Sequence, residues 1–359
     1  MTTVATMIPH SRPAIDQEDV RSAVEALGSG QIAQGPRVER FERDMAAFFG
    51  LQGGVAVSSG TAALELALRA LNIGAGDEVI MPSYVCAAPW LATQRVGAQA
   101  RLVDIDLDTF NIDPLAACQA VTNKTGAIIV PHLFGLAADL TALEGLGIPL
   151  IEDCAQTLGV TEQGRPVGTV GRLTICSFYA TKPLCAGEGG MVLSNEGALL
   201  ERVKSLREYD GASTLDSSSF NLKLTDLQAA LGLSQLGRFS TFSERRRFLA
   251  AAYRDVLSSK TVVCPSEPSG RIHGYYRFTI RLPHLRTEPE GLPGLISTLE
   301  QQGIHCCKPV FRPLHRYLNE SGFPNTDEAD RTALSIPLYP DLTDDEVQQI
   351  QRSLAKVFS

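Results

Sequence analysis

From residue 54 onward, short β-rich segments alternate with helical segments, and this alternation limits the chain to a few folds. One of the helical segments, 61–71 with the sequence TAALELALRAL, contains no Gly or Pro and is predicted as a strong helix. Strands are predicted at 54–58, 78–81, 101–105, 127–131, 148–152, 173–179 and 190–194. Consecutive parallel strands need crossover helices, so the pattern predicts an α/β fold with a seven-stranded, mainly parallel sheet.

The chain is long for a single hydrophobic core, and its pattern changes in the C-terminal third. With 359 residues, two packed domains are expected. A long helical stretch at 224–256 is followed by Pro-rich punctuation, a strand at 274–282 and a helix around 291–302. We therefore predict a large domain at 1–245 and a smaller C-terminal α+β domain at 246–359.

Three consecutive arginines, Arg245, Arg246 and Arg247, lie in the long helical stretch. Such a cluster could bind an anion, but it is more typical of the solvated face of a helix. The sequence therefore predicts that these side chains are exposed to solvent.

Composition and charge exclude several classes of function. The net charge of −8 disfavours binding to nucleic acid or anionic lipid, since both require clustered Lys and Arg. The start of the chain, MTTVATMIPHSRP, lacks a signal-peptide pattern, and no apolar segment is long enough to cross a bilayer. The eight cysteines show no C-x-x-C spacing, so we expect mostly buried, reduced thiols, no metal site and a cytoplasmic location.

Polar residues follow three of the predicted strands, at the sheet edge where α/β proteins bind ligands. After the first strand comes Ser58-Ser59-Gly60-Thr61, which begins a helix. The free N–H groups of a helix start, with flanking hydroxyls, suit a phosphate. Ser59 could equally serve only as a helix cap, so this segment alone does not decide between the two interpretations.

The second place is Asp153, in the sequence Asp153-Cys154-Ala155-Gln156 directly after the strand at 148–152. A carboxylate at the end of a buried strand is costly unless it meets a positive partner or several donors. A protonated pyridine nitrogen would be such a partner. A turn that Asp153 caps through backbone hydrogen bonds would explain the residue equally well.

The third place is Lys182, within SFYATKPLCAGEGG at 177–190. Most lysines only solubilise the surface, but one between a strand and a Gly-rich loop is confined to the ligand-binding edge, where a desolvated amine becomes a nucleophile. A phosphate site near Gly60, an acid at Asp153 and an amine at Lys182 together match pyridoxal phosphate. The first anchors the phosphate, the second keeps the ring nitrogen protonated and the third forms a Schiff base.

At these residues the chain resembles the nucleotide-sugar aminotransferases of the DegT/StrS family, which have the fold-type-I aspartate-aminotransferase architecture. The resemblance runs in order along nearly the whole chain, and the lysine segment with GEGG is its most specific part. The other matching segments are IPHSRPAI, SGQIAQGPRVERFE, VAVSSGTAALELALRAL, GDEVIMPSYV, VDIDLDTFNID, IEDCAQTLG, FNLKLTDLQAA, PLHRY and LSIPLYP.

The resemblance implies a role for each matching residue. Lys182 would bind pyridoxal 5'-phosphate covalently, Asp153 would pair with its pyridine nitrogen, and Gln156 would lie near its ring hydroxyl. The residues that would bind its phosphate are Gly60, Thr61 and Ser177, joined by Asn221 of the neighbouring subunit. That last match implies an obligate homodimer with shared active sites.

The chain departs from the family at three positions. The aromatic residue that stacks on the pyridine ring in the family is Cys86 here, so a thiol would pack on the ring, or Tyr84 or Trp90 would compensate. The histidine of R-x-H-G is missing from REYDG at 207–211, and the arginine before L-D-E-L-Q is Lys223. The last two positions belong to the substrate side in the family, so they affect substrate identity more than cofactor use.

The substrate side of the predicted site is less determined. Arg12, Lys308 and His315 lie in segments that border the active site in the family, and each could also be a surface or interface residue. The resemblance implies that glutamate aminates the cofactor, which then aminates a keto group of a nucleotide-linked sugar, for amino-sugar, surface-polysaccharide or secondary-metabolite biosynthesis. Lys182 would serve as covalent anchor and as proton carrier.

Three other functions are compatible with parts of the pattern. One branch of the family dehydrates keto-deoxysugars, but those relatives carry histidine at the position of Lys182. Other fold-type-I chemistry, such as decarboxylation or desulfuration of an amino acid, would use the same residues. A non-catalytic sensor is opposed by the intact set of Lys182, Asp153 and Gln156, and is kept open by Cys86.

Overall fold

The computed structural model describes residues 7–210, 216–257, 261–288 and 291–358. Its α-helices are α1 Gln17–Gly28, α2 Pro36–Phe49, α3 Gly60–Ala70, α4 Ala88–Arg95, α5 Pro114–Gln119, α6 Thr141–Glu144, α7 Gly197–Arg207, α8 Asp226–Gly237, α9 Phe239–Val256, α10 Gly291–Gln301, α11 Leu314–Leu318, α12 Pro324–Thr332 and α13 Asp344–Phe358. Its strands are β1 Gly53–Val57, β2 Glu78–Pro82, β3 Gln99–Val103, β4 Thr125–Pro131, β5 Leu150–Asp153, β6 Thr161–Glu162, β7 Arg165–Pro166, β8 Leu173–Ser177, β9 Gly190–Ser194, β10 Phe278–Arg281 and β11 Ala333–Ile336. Two 3₁₀ turns lie at Leu133–Gly135 and Pro283–Thr287.

Seven strands form one sheet in the order β1-β9-β8-β5-β4-β2-β3. The strands from β8 to β3 pair in parallel, whereas β9 runs antiparallel to both β8 and β1. The α/β fold with a mainly parallel seven-stranded sheet is therefore confirmed. Each sequence-predicted strand of this sheet lies within two residues of its predicted bounds.

Helices cover both faces of the sheet, because side chains of a strand alternate between its two faces. Along β1, Val55 and Val57 join a hydrophobic cluster that contains the Ala- and Leu-rich helix α3. Between them, Ala56 joins the opposite cluster, to which α2 contributes Phe41 and Phe49. The strands are therefore buried on both sides, and polar ligands can reach them only at their ends.

A further hydrophobic cluster lies in the C-terminal part of the chain. It begins at Leu249 in α9 and includes β10, β11, α10 and α13. Ile8 also belongs to it and donates its N–H to the carbonyl of Gly303 at 2.8 Å, so the N-terminal segment packs on the C-terminal unit. The domain boundary at residue 245 stays a prediction.

The strand predicted at 274–282 is shorter in the structure, where β10 spans Phe278–Arg281. Tyr275 has a φ of 47°, a left-handed conformation that interrupts an extended strand. The partner of β10 is β11, which had not been predicted from the sequence.

The predicted exposure of the three arginines in α9 is wrong for Arg246. Its side chain is buried, and it donates hydrogen bonds to the carbonyls of Tyr275, Tyr276 and Leu338 at 3.1–3.3 Å. These carbonyls belong to irregular segments that lack ladder partners, so a long cationic donor satisfies them. The prediction for the cysteines also needs correction, since all eight are free but only four are buried.

None of the described helices is both long and apolar enough to cross a membrane.

Candidate active site

The carboxyl ends of the parallel strands open into one cavity of about 240 Å³. β5 ends at Asp153 and β8 ends at Ser177, both on its wall. The antiparallel β9 begins at the same edge, because Gly190 pairs with both Val57 and Ser177. Seven of the residues predicted from the sequence line this cavity: Gly60, Thr61, Cys86, Asp153, Gln156, Ser177 and Lys182.

The start of α3 forms one end of the cavity. Ser59 caps the helix, with its Oγ accepting the N–H of Ala62 at 3.1 Å, so the capping interpretation is confirmed. The cap leaves the N–H groups of Gly60 and Thr61 without intrahelical acceptors, at the positive end of the helix dipole. A Cβ on Gly60 would lie 2.8 Å from the Cβ of Ser177, so the glycine lets the strand end approach the helix start.

Asp153 lies deep in the cavity and is only 9% exposed. Its Oδ1 accepts the N–H of Ala155 at 3.0 Å, which is the turn-capping bond considered from the sequence. Burial raises the pKa of Asp153, and this bond together with the positive charge of Lys182 offsets only part of that effect. The carboxylate therefore still lacks a full positive partner.

Gln156 faces the same space and is held in one orientation. Its Oε1 accepts the N–H of Phe134 at 3.0 Å, so its amide N–H groups remain free to donate.

His132 also lines the cavity and had not been predicted as a site residue. Its Nδ1 accepts the N–H of Ala138 at 3.0 Å, so Nε2 carries the proton and donates to Glu152 at 3.0 Å. Burial would raise the pKa of Glu152, but the bonds from His132 and from backbone amides, including that of Gly171, lower it overall. His132 directly follows β4, so the search for polar residues after strands could have found it.

Lys182 lies in the turn between β8 and β9, where its N–H donates to the carbonyl of Tyr179 at 2.8 Å. Its Nζ lies 5.2 Å from the centre of the Tyr276 ring and forms no ion pair with any described residue. Burial would raise the pKa of Tyr276, but the charges of Lys182 and Arg277 and a contact with Thr181 lower it to about 8. Tyr276 was not predicted as a site residue, because it belongs to a segment that is far from Lys182 along the chain.

Cys86 is exposed on the cavity wall, at the position where the family has its stacking aromatic residue. Neither proposed substitute reaches the cavity in the part of the chain that the structure describes. Tyr84 is fully buried and stacks on Phe110 at 5.9 Å between ring centres, and Trp90 packs against the hydrophobic cluster of α3. Of these three residues, only Cys86 lines the cavity.

The other two departures from the family contact each other. Lys223 Nζ lies 3.4 Å from a carboxylate oxygen of Glu208 and 3.8 Å from one of Asp210, both within the REYDG segment. The last residue of that segment, Gly211, lies outside the described residues. Lys223, which replaces the arginine of the family, thus pairs with two acidic residues.

Four further predicted residues lie outside this cavity. Asn221 is exposed, and Arg12 pairs with Asp341 and Glu346 beside a smaller cavity that also reaches Lys182. Lys308 pairs with Asp330 at the surface of the C-terminal unit. His315 is 2% exposed, and its ring nitrogens contact Ser83 and Asp327 at 2.7 and 3.0 Å. Their substrate or cofactor roles stay predictions.

Three groups of the cavity fit pyridoxal phosphate. The free N–H groups of Gly60 and Thr61 suit a phosphate, the under-compensated carboxylate of Asp153 suits a protonated ring nitrogen, and the amine of Lys182 suits a carbonyl carbon. The fold and this donor set define a fold-type-I pyridoxal-phosphate enzyme.

Residues 13–355 match the DegT/DnrJ/EryC1/StrS aminotransferase family. The chain is 33% identical to a pleiotropic regulatory protein of Geobacillus stearothermophilus, covering 95% of this chain and 94% of that one. It is 29% identical to GDP-perosamine synthase of Vibrio cholerae, covering 98% and 100%. The crystal structure of S. venezuelae DesV in complex with a ketimine intermediate superposes with a TM-score of 0.88 at 31% identity, covering 98% and 99%.

The chain belongs to the DegT/DnrJ/EryC1/StrS aminotransferase family. This membership confirms the predicted enzyme class, a pyridoxal-phosphate-dependent aminotransferase.

Proposed function

We propose that this aminotransferase moves an amino group from glutamate to a keto group of a nucleotide-linked sugar. The observation that carries the proposal is the single cavity that holds Lys182, Asp153 and the start of α3. A sugar acceptor is supported by the similarity to GDP-perosamine synthase over nearly the full length of both chains.

Each residue of the cavity has a distinct part in this proposal. When bound, pyridoxal phosphate supplies a carbonyl group and an electron-withdrawing ring. Lys182 Nζ would bind that group covalently, and as the free amine it would carry a proton to and from the α-carbon of the donor. Asp153 would hold the proton on the ring nitrogen, and the amide N–H groups of Gln156 would donate to the ring oxygen.

We further propose a cytoplasmic homodimer whose subunits complete each other's sites. Asn221 is exposed and is not among the residues that line the cavity of its own chain, which supports a role across an interface. Eight free cysteines, one of them exposed on the cavity wall, support a reducing compartment.

Cofactor attachment is tested by borohydride reduction of the purified protein, followed by peptide mass analysis. A pyridoxyl group is expected on Lys182 and is expected to be absent from Lys182→Ala, which should also lose transamination. Lys204→Ala is the matched control, because Lys204 is a surface lysine paired with Glu201. Full activity of Lys182→Ala would refute the assignment.

The reaction is tested by supplying ¹⁵N-glutamate with a panel of keto-sugar nucleotides. The proposal expects ¹⁵N in an amino-sugar product and 2-oxoglutarate in equal amount. An unlabelled deoxysugar product would instead establish dehydration, and release of carbon dioxide or sulfide from an amino acid would establish the other fold-type-I chemistries.

Site sharing is tested by mixing two inactive variants, Lys182→Ala and Asn221→Asp, under conditions that exchange subunits. A mixed dimer contains one site with both native residues if Asn221 acts across the interface. Recovered activity is therefore expected, and a mixture that exchanges subunits without recovering activity would exclude the shared site.

A second candidate is a regulatory protein that binds the cofactor without turnover. It is favoured by the thiol of Cys86 at the stacking position and by the similarity to a pleiotropic regulatory protein. Label transfer from glutamate at many turnovers per subunit would exclude it.

A further inference from the structure

A second, smaller cavity also reaches Lys182. Its wall combines the N-terminal segment at 10–14, the turn at 180–183 and residues of the C-terminal unit. Its volume is about 20 Å³, which is room for one water molecule or a group of similar size. The phosphate and nucleoside of a nucleotide-linked acceptor would not fit, whereas a single carboxylate would need only a small adjustment.

The wall of this cavity is positively charged. Its charged lining residues are Arg12, Lys182, Arg246 and Arg277, and no Asp or Glu lines it within the ranges that the structure describes. The cavity wall is therefore positive, although the whole chain has a net charge of −8. Such a site attracts anions.

Two of the arginines already have structural partners. Arg12 forms ion pairs with Asp341 at 2.8 Å and Glu346 at 3.0 Å. Arg246 donates from Nη1 to three backbone carbonyls, and its side chain is buried. Arg12 is therefore already paired with carboxylates, and Arg246 is held by the backbone.

Arg277 differs from both, because within the described residues its guanidinium contacts neither a carboxylate nor a backbone carbonyl, only neutral side chains. Its Nη1 lies 3.3 Å from Nε2 of His10 and 3.9 Å from the thiol of Cys307, and its guanidinium lies 5.3 Å from the Tyr276 ring. Burial and the charge of Arg277 lower the pKa of His10 to about 3, and Tyr276 with a pKa of about 8 is mostly the neutral phenol at pH 7. Among the described residues, no carboxylate forms an ion pair with Arg277.

We propose that Arg277 binds a carboxylate of the amino donor and thereby presents the donor's amine to the cavity of Lys182. This inference rests on the proposed function and adds to it the residue that recognises the donor. A guanidinium binds carboxylate through two parallel N–H donors, which fixes orientation as well as position. Arg277 and Lys182 lie close to the same ring, since the centre of Tyr276 is 5.3 Å from the guanidinium carbon and 5.2 Å from Nζ.

The experiment uses the holoenzyme of Arg277→Gln and Arg277→Lys. Arg281→Gln is the matched control, since Arg281 is the last residue of β10, the strand that directly follows Arg277, and pairs with Asp108 outside the cavity. Two quantities are measured: the affinity for glutarate by calorimetry, and the concentration of glutamate that half-saturates conversion of the cofactor absorbance in a single turnover.

Arg277→Gln is expected to lower the affinity for glutarate and to raise the half-saturating concentration of glutamate, each by about 10- to 100-fold, because a charge-assisted hydrogen-bonded pair is lost. Arg277→Lys should fall between it and wild type, and Arg281→Gln should match wild type. The thermal midpoint and bound cofactor of each variant show whether it is folded.

Wild-type affinities for glutarate and glutamate in folded Arg277→Gln would overturn the proposal. A weakened affinity for the keto-sugar nucleotide with unchanged glutamate binding would also overturn it, because the anion would then be the acceptor's phosphate. Failure of the proposed function is separate: wild type would then aminate no keto sugar, while the glutarate titration would still report on Arg277.

Discussion

The amine of Lys182 and the ring of Tyr276 lie against each other, with 5.2 Å between Nζ and the ring centre. Lys182 belongs to the turn after β8, and Tyr276 precedes β10 in the C-terminal part of the chain. This contact joins the two parts of the chain at the proposed reactive amine, so the charge of Lys182 is coupled to the ionisation of a buried phenol.

Tyr276 should titrate near neutrality in the enzyme without cofactor. The charges of Lys182 and Arg277 lower the pKa of its phenol to about 8 despite burial. We expect a tyrosinate absorbance change with a midpoint near this value, absent from Tyr276→Phe. In Lys182→Ala the midpoint should rise toward the ordinary phenol value, because one of the two charges is removed.

Tyr317→Phe serves as the control for this titration, since Tyr317 is half-exposed and does not line the cavity. Tyr317→Phe should leave the absorbance change of Tyr276 unaltered. An unchanged midpoint in Lys182→Ala would show that the two groups are not coupled.

Asp153→Asn should have opposite effects on the enzyme with and without cofactor. Without cofactor, Asp153 is a buried carboxylate with a raised pKa, so a neutral side chain of the same shape removes a desolvation cost. The thermal midpoint of the apoenzyme should stay constant or rise. The further rise on adding pyridoxal phosphate should shrink, because the ring nitrogen loses its anionic partner, and transamination should slow strongly.

Asp139→Asn provides the comparison, because Asp139 is a surface carboxylate paired with Arg271. Its midpoint shift on adding cofactor should equal that of wild type. A normal cofactor-induced shift in Asp153→Asn would remove Asp153 from the cofactor site.

The polar residues that end strands could be predicted because strand direction alone brings them to one sheet edge. Lys182, Asp153 and Gln156 line one cavity for that reason, and His132 could have been found by the same rule. Tyr276 could not, because its position depends on how the C-terminal part of the chain packs against the sheet.

The direction in which a side chain points also could not be predicted from the sequence. The PLHRY segment borders the active site in the family, yet His315 turns inward to Ser83 and Asp327 and is buried. Arg246 shows the same effect, because a run of arginines does not reveal which of them faces irregular backbone carbonyls. Both outcomes depend on tertiary packing rather than on local pattern.

Gly190, the last residue of GEGG, should tolerate no side chain. A Cβ there would lie 2.3 Å from the carbonyl oxygen of Ser59 and 2.7 Å from the nitrogen of Gly60. Gly190→Ala should therefore displace the start of α3, at a cost of about 3 kcal/mol in the free energy of unfolding. It should also weaken cofactor binding measured by fluorescence titration.

Gly197→Ala is the matched control, because an added Cβ at Gly197 would meet only a side-chain nitrogen of Gln52 at 3.7 Å. It should bind the cofactor as wild type does. Equal cofactor affinity in Gly190→Ala would show that the helix start does not hold the phosphate.

His273 should make the fold sensitive to mild acid. Burial, with the charge of Arg254, lowers its pKa from 6.5 to about 3, and its Nδ1 accepts the N–H of Tyr275 at 2.9 Å. Below pH 6.5 the unfolded chain takes up a proton that the folded protein excludes, so stability is complete above pH 6.5 and falls as the pH decreases toward 3. Between pH 7 and pH 5 the exclusion of this proton should lower the free energy of unfolding by about 2 kcal/mol.

Urea unfolding at the two pH values measures this loss of stability. His273→Asn should reduce the loss, because the amide oxygen can accept the same N–H without titrating. His305→Asn, at a half-exposed histidine beside Glu300, should keep the wild-type loss; an equal loss in His273→Asn would mean that His273 does not cause it.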